Sequence, residues 1–229
     1  MRLNKDNILV IPDLHEPFTL DGFREHCKKV QKKYKCGTVV FIGDIVDNHS
    51  INYHEHDPDL WSPADEMEKA DKKLTKWFKD FPNAYITWGN HDELPDRKGK
   101  TVGLPKRCFK TFREMWKLPE GWIDGPEFVI QDVLFKHQGK GGINGPLNTA
   151  ITCRQSTVVG HTHSVGCIAW NVSAKDRIFG MNAGCGVDRK SIAFAYGKNM
   201  PNKPFISCGV ILNKGKLPML IPMELGVRK

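Results

Sequence analysis

The first half of the chain alternates short apolar runs with longer amphipathic stretches. Ile8–Ile11, Thr38–Ile42 and Ala84–Trp88 are rich in apolar and β-forming residues, with no regular polar alternation. That texture predicts strands covered on both faces. Between them, Phe23, Cys27, Val30 and Tyr34 recur at helical spacing, with Lys28, Lys29, Lys32 and Lys33 interleaved. Met67, Ala70, Leu74, Trp77 and Phe81 do the same, with Lys69, Lys72, Lys73 and Lys76 between them. Both stretches read as helices with one buried stripe, and lysines opposite such a stripe read as a solvated face. Ser62-Pro63 reads as an N-cap with proline opening the second helix. The order βαβαβ predicts a parallel sheet with right-handed crossovers.

The second half is richer in strands. Phe128–Ile130, Val133–Phe135, Thr157–Val159, Val165–Trp170, Arg177–Met181, Phe205–Leu212 and Pro218–Ile221 follow one another, and Asn213–Lys216 reads as a hairpin turn. Gly139–Gly145 holds four glycines and reads as a mobile loop at the rim of a site. The fold class expected is α/β, a four-layer αββα sandwich of two mixed β-sheets flanked by helices. A single domain spanning residues 1–229 is expected, because no linker or repeat divides the chain.

Composition narrows the setting. Hydrophobic residues make up 40% and charged residues 26%, as in a globular domain with a sizeable core. No apolar run is long enough to span a membrane, so no membrane partner is expected. The apolar stretch near the start, ILVI, is too short for a secretory signal, which makes a cytoplasmic location the expectation. The cysteine count is seven, with no C-x-x-C pair, so reduced thiols are expected rather than a disulfide framework or a zinc ribbon. The net charge of +8 favours anionic partners and suits a phosphate-bearing substrate.

The candidate chemistry lies in five short blocks placed where strands should end. They are Asp13 and His15 in PDLH, Asp44 in GDIVD, Asn90 in GNHD, His137 in KHQG, and His161 and His163 in GHTH. In open α/β sheets ligands gather outside the carboxyl ends of the strands, so adjacent parallel strands would bring the first three blocks together. Asp13 and His15 lie two apart and would face the same side of an extended segment, and His161 and His163 share that spacing. A carboxylate such as Asp44 has lone pairs enough to bridge two cations. Singly, each of these is an ordinary turn or cap residue. Jointly they take five of the nine histidines, counting His91, and glycines 43, 89 and 160 sit beside them where a backbone must turn or approach closely.

The ordered series D-x-H, G-D-x-x-D, G-N-H-D, H, G-H-x-H resembles the calcineurin-like metallophosphoesterases, from Asp13 to His163. The resemblance implies the αββα fold and two divalent cations. One would take Asp13, His15, Asp44 and His163, and the other Asp44, Asn90, His137 and His161. It implies that His91 is a general acid near the leaving group, oriented by Asp47, with Asn90 and His91 against the substrate. A hydroxide between the ions would be the nucleophile. Nitrogen and oxygen ligands without thiolate suit manganese, iron, zinc, nickel or cobalt, and manganese is the first expectation among them.

The arginine that follows the second aspartate in protein serine/threonine phosphatases of the family is Asn48 here, and Asn is not a bidentate phosphate donor. GNHD with GHTH is more similar to the bacterial, archaeal and phage-type phosphodiesterases and nucleases of the superfamily. The activity expected is therefore hydrolysis of phosphodiesters, with monoesters secondary, on small nucleotide-type substrates such as 2′,3′-cyclic nucleotides. A nuclease is the first alternative: nucleic acid is a permitted partner but not a required one. A protein phosphatase and a non-catalytic scaffold on the same fold rank lower. His49, His54 and His56 fit a polar surface loop better than a substrate contact. Trp61 and Trp88 fit packing better than base stacking. The sequence leaves the oligomeric state open.

Overall fold

Strand β1 (Asn4–Ile11) buries both of its faces. Ile8 and Val10 join Val40, Ile42, Phe135, Val158 and Met181 in one apolar cluster. Leu9 and Ile11 point the other way and join Phe23, Val30, Leu74 and Trp77 in another. Two-sided burial is why the run Ile8–Ile11 shows no polar alternation. The computed structural model describes residues 3–53, 59–191 and 201–225.

β1 lies near the middle of a six-stranded sheet. β2 (Cys36–Phe41), β3 (Ala84–Thr87) and β4 (Trp122–Gly125) follow it in parallel, side by side. The other flank holds β10 (Ser207–Leu212), antiparallel to β1, and β11 (Leu217–Pro222), antiparallel to β10. The second sheet runs β5-β6-β7-β9-β8. Its core is β6 (Val133–Lys136), β7 (Ser156–Val159) and β9 (Arg177–Ala183), all parallel. β5 (Glu127–Ile130) and β8 (Gly166–Val172) close its two edges antiparallel. Both sheets are mixed, and Ile8, Val10, Phe135 and Met181 meet between them.

Helices α1 (Phe23–Tyr34) and α2 (Pro63–Asp80) cover the outer face of the first sheet with Cys27, Val30, Leu74 and Trp77. Ser62 caps α2 by accepting from the Asp65 N–H at 3.2 Å, with Pro63 as first helical residue. α5 (Gly145–Cys153) lies on the second sheet against β7, β8 and β9. A Cβ on Gly180 of β9 would overlap the backbone of Pro146 and Leu147, so the helix seats directly on the strand. The layers run helix, sheet, sheet, helix. Among the described residues no helix is long and apolar enough to cross a membrane.

Four elements carry no periodic signal and are absent from the expected order: β4, α5, α3 (Leu94–Thr101) and α4 (Phe112–Met115). α3 and α4 are short, with only Leu94 and Gly99 buried, so no apolar stripe marks them. The glycine-rich loop is also shorter than its composition suggests, because Gly145 is already the first residue of α5.

Phe41, at the end of β2, is fully buried and packs on Trp77, Phe81 and Trp122 at ring separations of 5.8, 6.0 and 4.6 Å. Phe41→Ala is expected to destabilise the fold by about 3–5 kcal/mol, the range for emptying a large aromatic site. The shift of the urea unfolding midpoint at constant slope measures it.

Candidate metal centre

Five strands of the two sheets end at one rim. Asp13, Asp44 and Asn90 follow β1, β2 and β3, while His137 and His161 follow β6 and β7. The parallel neighbours β1, β2 and β3 thus deliver their blocks side by side, as the strand order requires.

The side chains then converge. Nε2 of His15 lies 3.6 Å from Asp44 Oδ2, and Nε2 of His137 lies 3.1 Å from the same oxygen. Nε2 of His163 is 3.3 Å from Asp13 Oδ2 and 3.1 Å from Nε2 of His15. Asn90 Oδ1 is 3.0 Å from Nε2 of His137. Ligand-type atoms of Asp13, His15 and His163 lie within 4.8 Å of one another, as do those of Asp44, His137 and His161. His15, Asp44 and His91 form a third such group. Asp44 therefore stands between two clusters. Asp13, His15, Asp44 and His137 are buried, whereas Asn90, His91, His161 and His163 are more open. Those four form the open rim of the centre.

The far side of each ring is held. His15 Nδ1 lies 2.5 Å from Asp47 Oδ1, and His137 Nδ1 donates to the carbonyl of Ile42 at 2.6 Å. Such partners fix the tautomer and turn each Nε2 lone pair inward. Asp44 Oδ1 accepts from the His91 N–H at 2.8 Å, and Asp13 Oδ2 accepts from the His161 N–H at 2.8 Å. Asp47 serves two rings. Its carboxylate is closest to His15, while its carbonyl accepts from His91 Nδ1 at 2.6 Å, with Oδ1 3.4 Å from the same ring nitrogen.

The local backbone is unusual at the same places. His15, Asp44, Asn48 and His161 have φ of 54, 45, 53 and 68°. Left-handed backbone at non-glycine residues is costly and persists where surrounding contacts enforce it. This corrects the expectation that Asp13 and His15 meet because the segment stays extended. The chain turns at His15, and the N–H groups of Leu14 and His15 both donate to the Asp44 carbonyl, at 3.0 and 2.8 Å. Gly43, at φ 78°, and Gly89 let these turns close. A Cβ on Gly89 would overlap Asp44 Oδ1, and one on Gly160 would overlap Asp13 Oδ1.

Several supporting residues escape sequence reasoning. Asp92 is buried, and its carboxylate accepts from the N–H groups of Ile45 (3.1 Å), Val46 (3.4 Å) and Gly89 (2.9 Å). It ties the loop after β2 to the loop after β3. Its place directly after His91 in GNHD was the available signal. Asn182 of β9 donates to the carbonyls of Gly160 (3.1 Å) and Thr162 (3.3 Å), shaping the His161–His163 loop. Nothing in its local sequence announces that role. Glu66 of α2 accepts from the N–H groups of His49 and Ser50 at 2.7 and 2.8 Å. Asn48 donates to the His91 carbonyl at 2.8 Å, so it positions that loop. His49 differs from the surface reading: it is buried, with Nδ1 3.7 Å from Asp47 Oδ2. His54 and His56 lie outside the described residues. Trp61 stacks on Phe18 at 5.5 Å, and Trp88 donates to Asp124 at 3.2 Å, both packing roles.

The donor set fits divalent cations. Asp13 Oδ1 is buried with no hydrogen-bond partner, and several inward-facing imidazole nitrogens crowd two carboxylates. The match to a known family has the same extent as this geometry: residues 7–163 match the family model of the calcineurin-like phosphoesterases. The chain belongs to this family. Comparison with curated proteins returns no match. Solved structures of similar architecture include YfcE, a phosphoesterase from E. coli, at 15% identity over 94% of this chain and 99% of that one, with a TM-score of 0.39. Vacuolar protein sorting 29 from Cryptosporidium parvum is 14% identical over 95% and 98%, with a TM-score of 0.46. The nuclease MPE from Pseudomonas putida is 11% identical over 94% and 86%, with a TM-score of 0.38.

Divalent metals are typical of calcineurin-like phosphoesterases, and the electrostatics of this centre favour a cation. Burial opposes charging His137, yet the carboxylates of Asp44 and Asp13 outweigh it and push the ring up to about 10. Burial would raise Asp13 and Asp44, but His137 in particular holds both below the usual carboxylate range. Burial, reinforced by His91 and His163, pushes His15 well down. Burial, reinforced by Asp44, raises Asp92 to about 7. Without a cation the centre therefore holds a proton on His137 at neutral pH, and a cation must displace it. Apparent metal affinity is expected to rise with pH between 6 and 9, by up to ~10-fold per unit for each proton released. Calorimetric titrations with Mn²⁺ in buffers of different ionisation enthalpy count that proton. Gly89→Ala is expected to weaken metal binding at least ~10-fold, since loss of a supporting contact at a metal site costs about that much. Metal content after gel filtration reads the loss.

Proposed function

We propose that this chain is a two-metal phosphoesterase that hydrolyses phosphodiester bonds of nucleotide-type substrates, 2′,3′-cyclic nucleotides among them. One observation carries the reading: Asp44 Oδ2 is faced from both sides, by His15 at 3.6 Å and His137 at 3.1 Å. Asp13, His15, Asp44 and His163 would hold one cation, and Asp44, Asn90, His137 and His161 the other. Bound divalent cations, manganese foremost, supply Lewis acidity toward phosphate and activate water at neutral pH.

The protein's own part follows from its geometry. Asn90 and His91 stand on the open rim, where the substrate phosphate enters. His91 has the properties of a general acid. Burial disfavours its charge, but the carboxylates of Asp44 and Asp47 outweigh burial and raise its pKa above the ordinary value. Its Nδ1 donates to the Asp47 carbonyl, which leaves Nε2 to carry the proton a departing alkoxide needs. Asp47 orients His15 and His91 together. Asn48 holds the loop and brings no charge to the phosphate, which favours diesters, with one negative charge, over dianionic monoesters.

His91→Ala is expected to lower kcat on diesters with poor leaving groups by at least ~100-fold, within the range for general acid catalysis, with both metals retained. Near-normal turnover in that variant would remove the role. A panel under Mn²⁺ of monoesters, aryl diesters, 2′,3′-cyclic nucleotides, oligonucleotides and phosphopeptides checks the substrate class. Preference for phosphopeptides, or no hydrolysis with both sites loaded, would overturn it.

A further inference from the structure

Two segments adjoin the loop that carries His91, one through Asn48 and the other through Arg97. The loop after Asp47 runs through the 3-10 turn His49–Ile51 to Tyr53. α3 begins three residues after His91 and carries Arg97 and Lys98. The two are joined at Tyr53. Lys98 Nζ sits 3.9 Å from the centre of its ring, Arg97 Cζ lies 5.4 Å from it, and its hydroxyl is 3.2 Å from Thr101 Oγ1. Thr101 Oγ1 in turn donates to the Arg97 carbonyl at 3.1 Å. Arg97 reaches back to the centre itself, with Nη1 3.5 Å from the Asn90 carbonyl.

These cations are not consumed by the fold. Among the described residues neither Arg97 nor Lys98 forms an ion pair, and the nearby Asp96 is engaged by Lys106 at 3.3 Å. Lys98 over Tyr53 is a cation–π contact that holds the ammonium without neutralising it. A guanidinium so placed is a planar donor suited to a phosphate. Its Nη1 lies against the carbonyl of Asn90, so the guanidinium stands beside the loop that carries His91.

We propose that Arg97 and Lys98, braced by Tyr53, form a second anion subsite that takes the phosphate adjoining the scissile diester on the departing fragment. The inference rests on the phosphodiesterase reading above and narrows it. It selects strand-like substrates, in which phosphates recur along a chain, over isolated cyclic nucleotides. No bond is made or broken at the subsite; it contributes affinity and orientation through charge-assisted hydrogen bonds.

The test compares cleavage of the internal diester in the dinucleotides TpT and pTpTp by the Mn²⁺-loaded full chain. The wild type is expected to prefer pTpTp by at least ~10-fold in kcat/KM, the effect of one good charge-assisted contact. Arg97→Ala with Lys98→Ala should collapse that ratio to below about threefold, mainly through KM, with circular dichroism and metal content as checks. Arg97→Lys should retain most of the preference. If the double variant is poorly folded, the single variants Arg97→Gln and Lys98→Gln read the same ratio. A ratio that persists in the variants, or a wild type that cleaves both equally, overturns the subsite and leaves the phosphodiesterase reading standing. A wild type that cleaves neither dinucleotide nor any other diester overturns both.

Discussion

The centre depends on one carboxylate held by one of its oxygens. Asp44 Oδ1 takes the backbone N–H of His91, and Oδ2 is left facing His15 and His137. A carboxylate free to rotate would spread its charge over several arrangements. Pinned at Oδ1, it presents a single oxygen to His15, after β1 of the first sheet, and to His137, after β6 of the second. The same hydrogen bond fixes His91 relative to that oxygen, so His91 and the candidate ligands share one reference point. Left-handed backbone at Asp44 and the bare Cα of Gly89 are the steric conditions for it.

Around that point, buried polar side chains tie loops from different strands. Asp92 spans the loops after β2 and β3, Asp47 spans His15 and His91, and Asn182 spans the two turns around Gly160. Burying a carboxylate is unfavourable unless backbone donors or opposite charges surround it. Asp92 meets this with three N–H groups, and burial still raises it to about 7. The apolar layers beneath supply the rigidity. Phe41, Trp77 and Trp122 lock β2 and β3 a few residues before their ligand loops begin. Ligand placement is therefore a consequence of strand packing, and damage to the core propagates to the rim.

Much of this was legible in the chain because the signals were local. Runs covered on both faces announced β1, β2 and β3, and lysines between apolar stripes announced α1 and α2. The ligand-type residues stood at strand ends, next to glycines. What stayed hidden lacked local contrast. α3 has no apolar stripe, β4 is four residues long, and Asn182 looks like any polar residue in a strand. Asn48 was conspicuous as the place of a missing arginine, yet its donation to the His91 carbonyl depends on a residue 43 positions away. His49 looked exposed from its polar neighbours and is buried because Glu66 draws in its backbone.

By itself the sequence determined the inventory and the order: which residues bear metal-binding atoms, which strands carry them, and that parallel neighbours bring them to one edge. Periodicity and spacing encode these directly. The tertiary structure alone decided orientation. It decided that Asp44 turns Oδ2 inward, that Asp47 gives its carboxylate to His15 and its carbonyl to His91, that Arg97 reaches the Asn90 carbonyl, and that Lys98 lies over Tyr53. Those outcomes rest on contacts between residues distant in sequence, and on left-handed turns that close only when the partner loop is already in place.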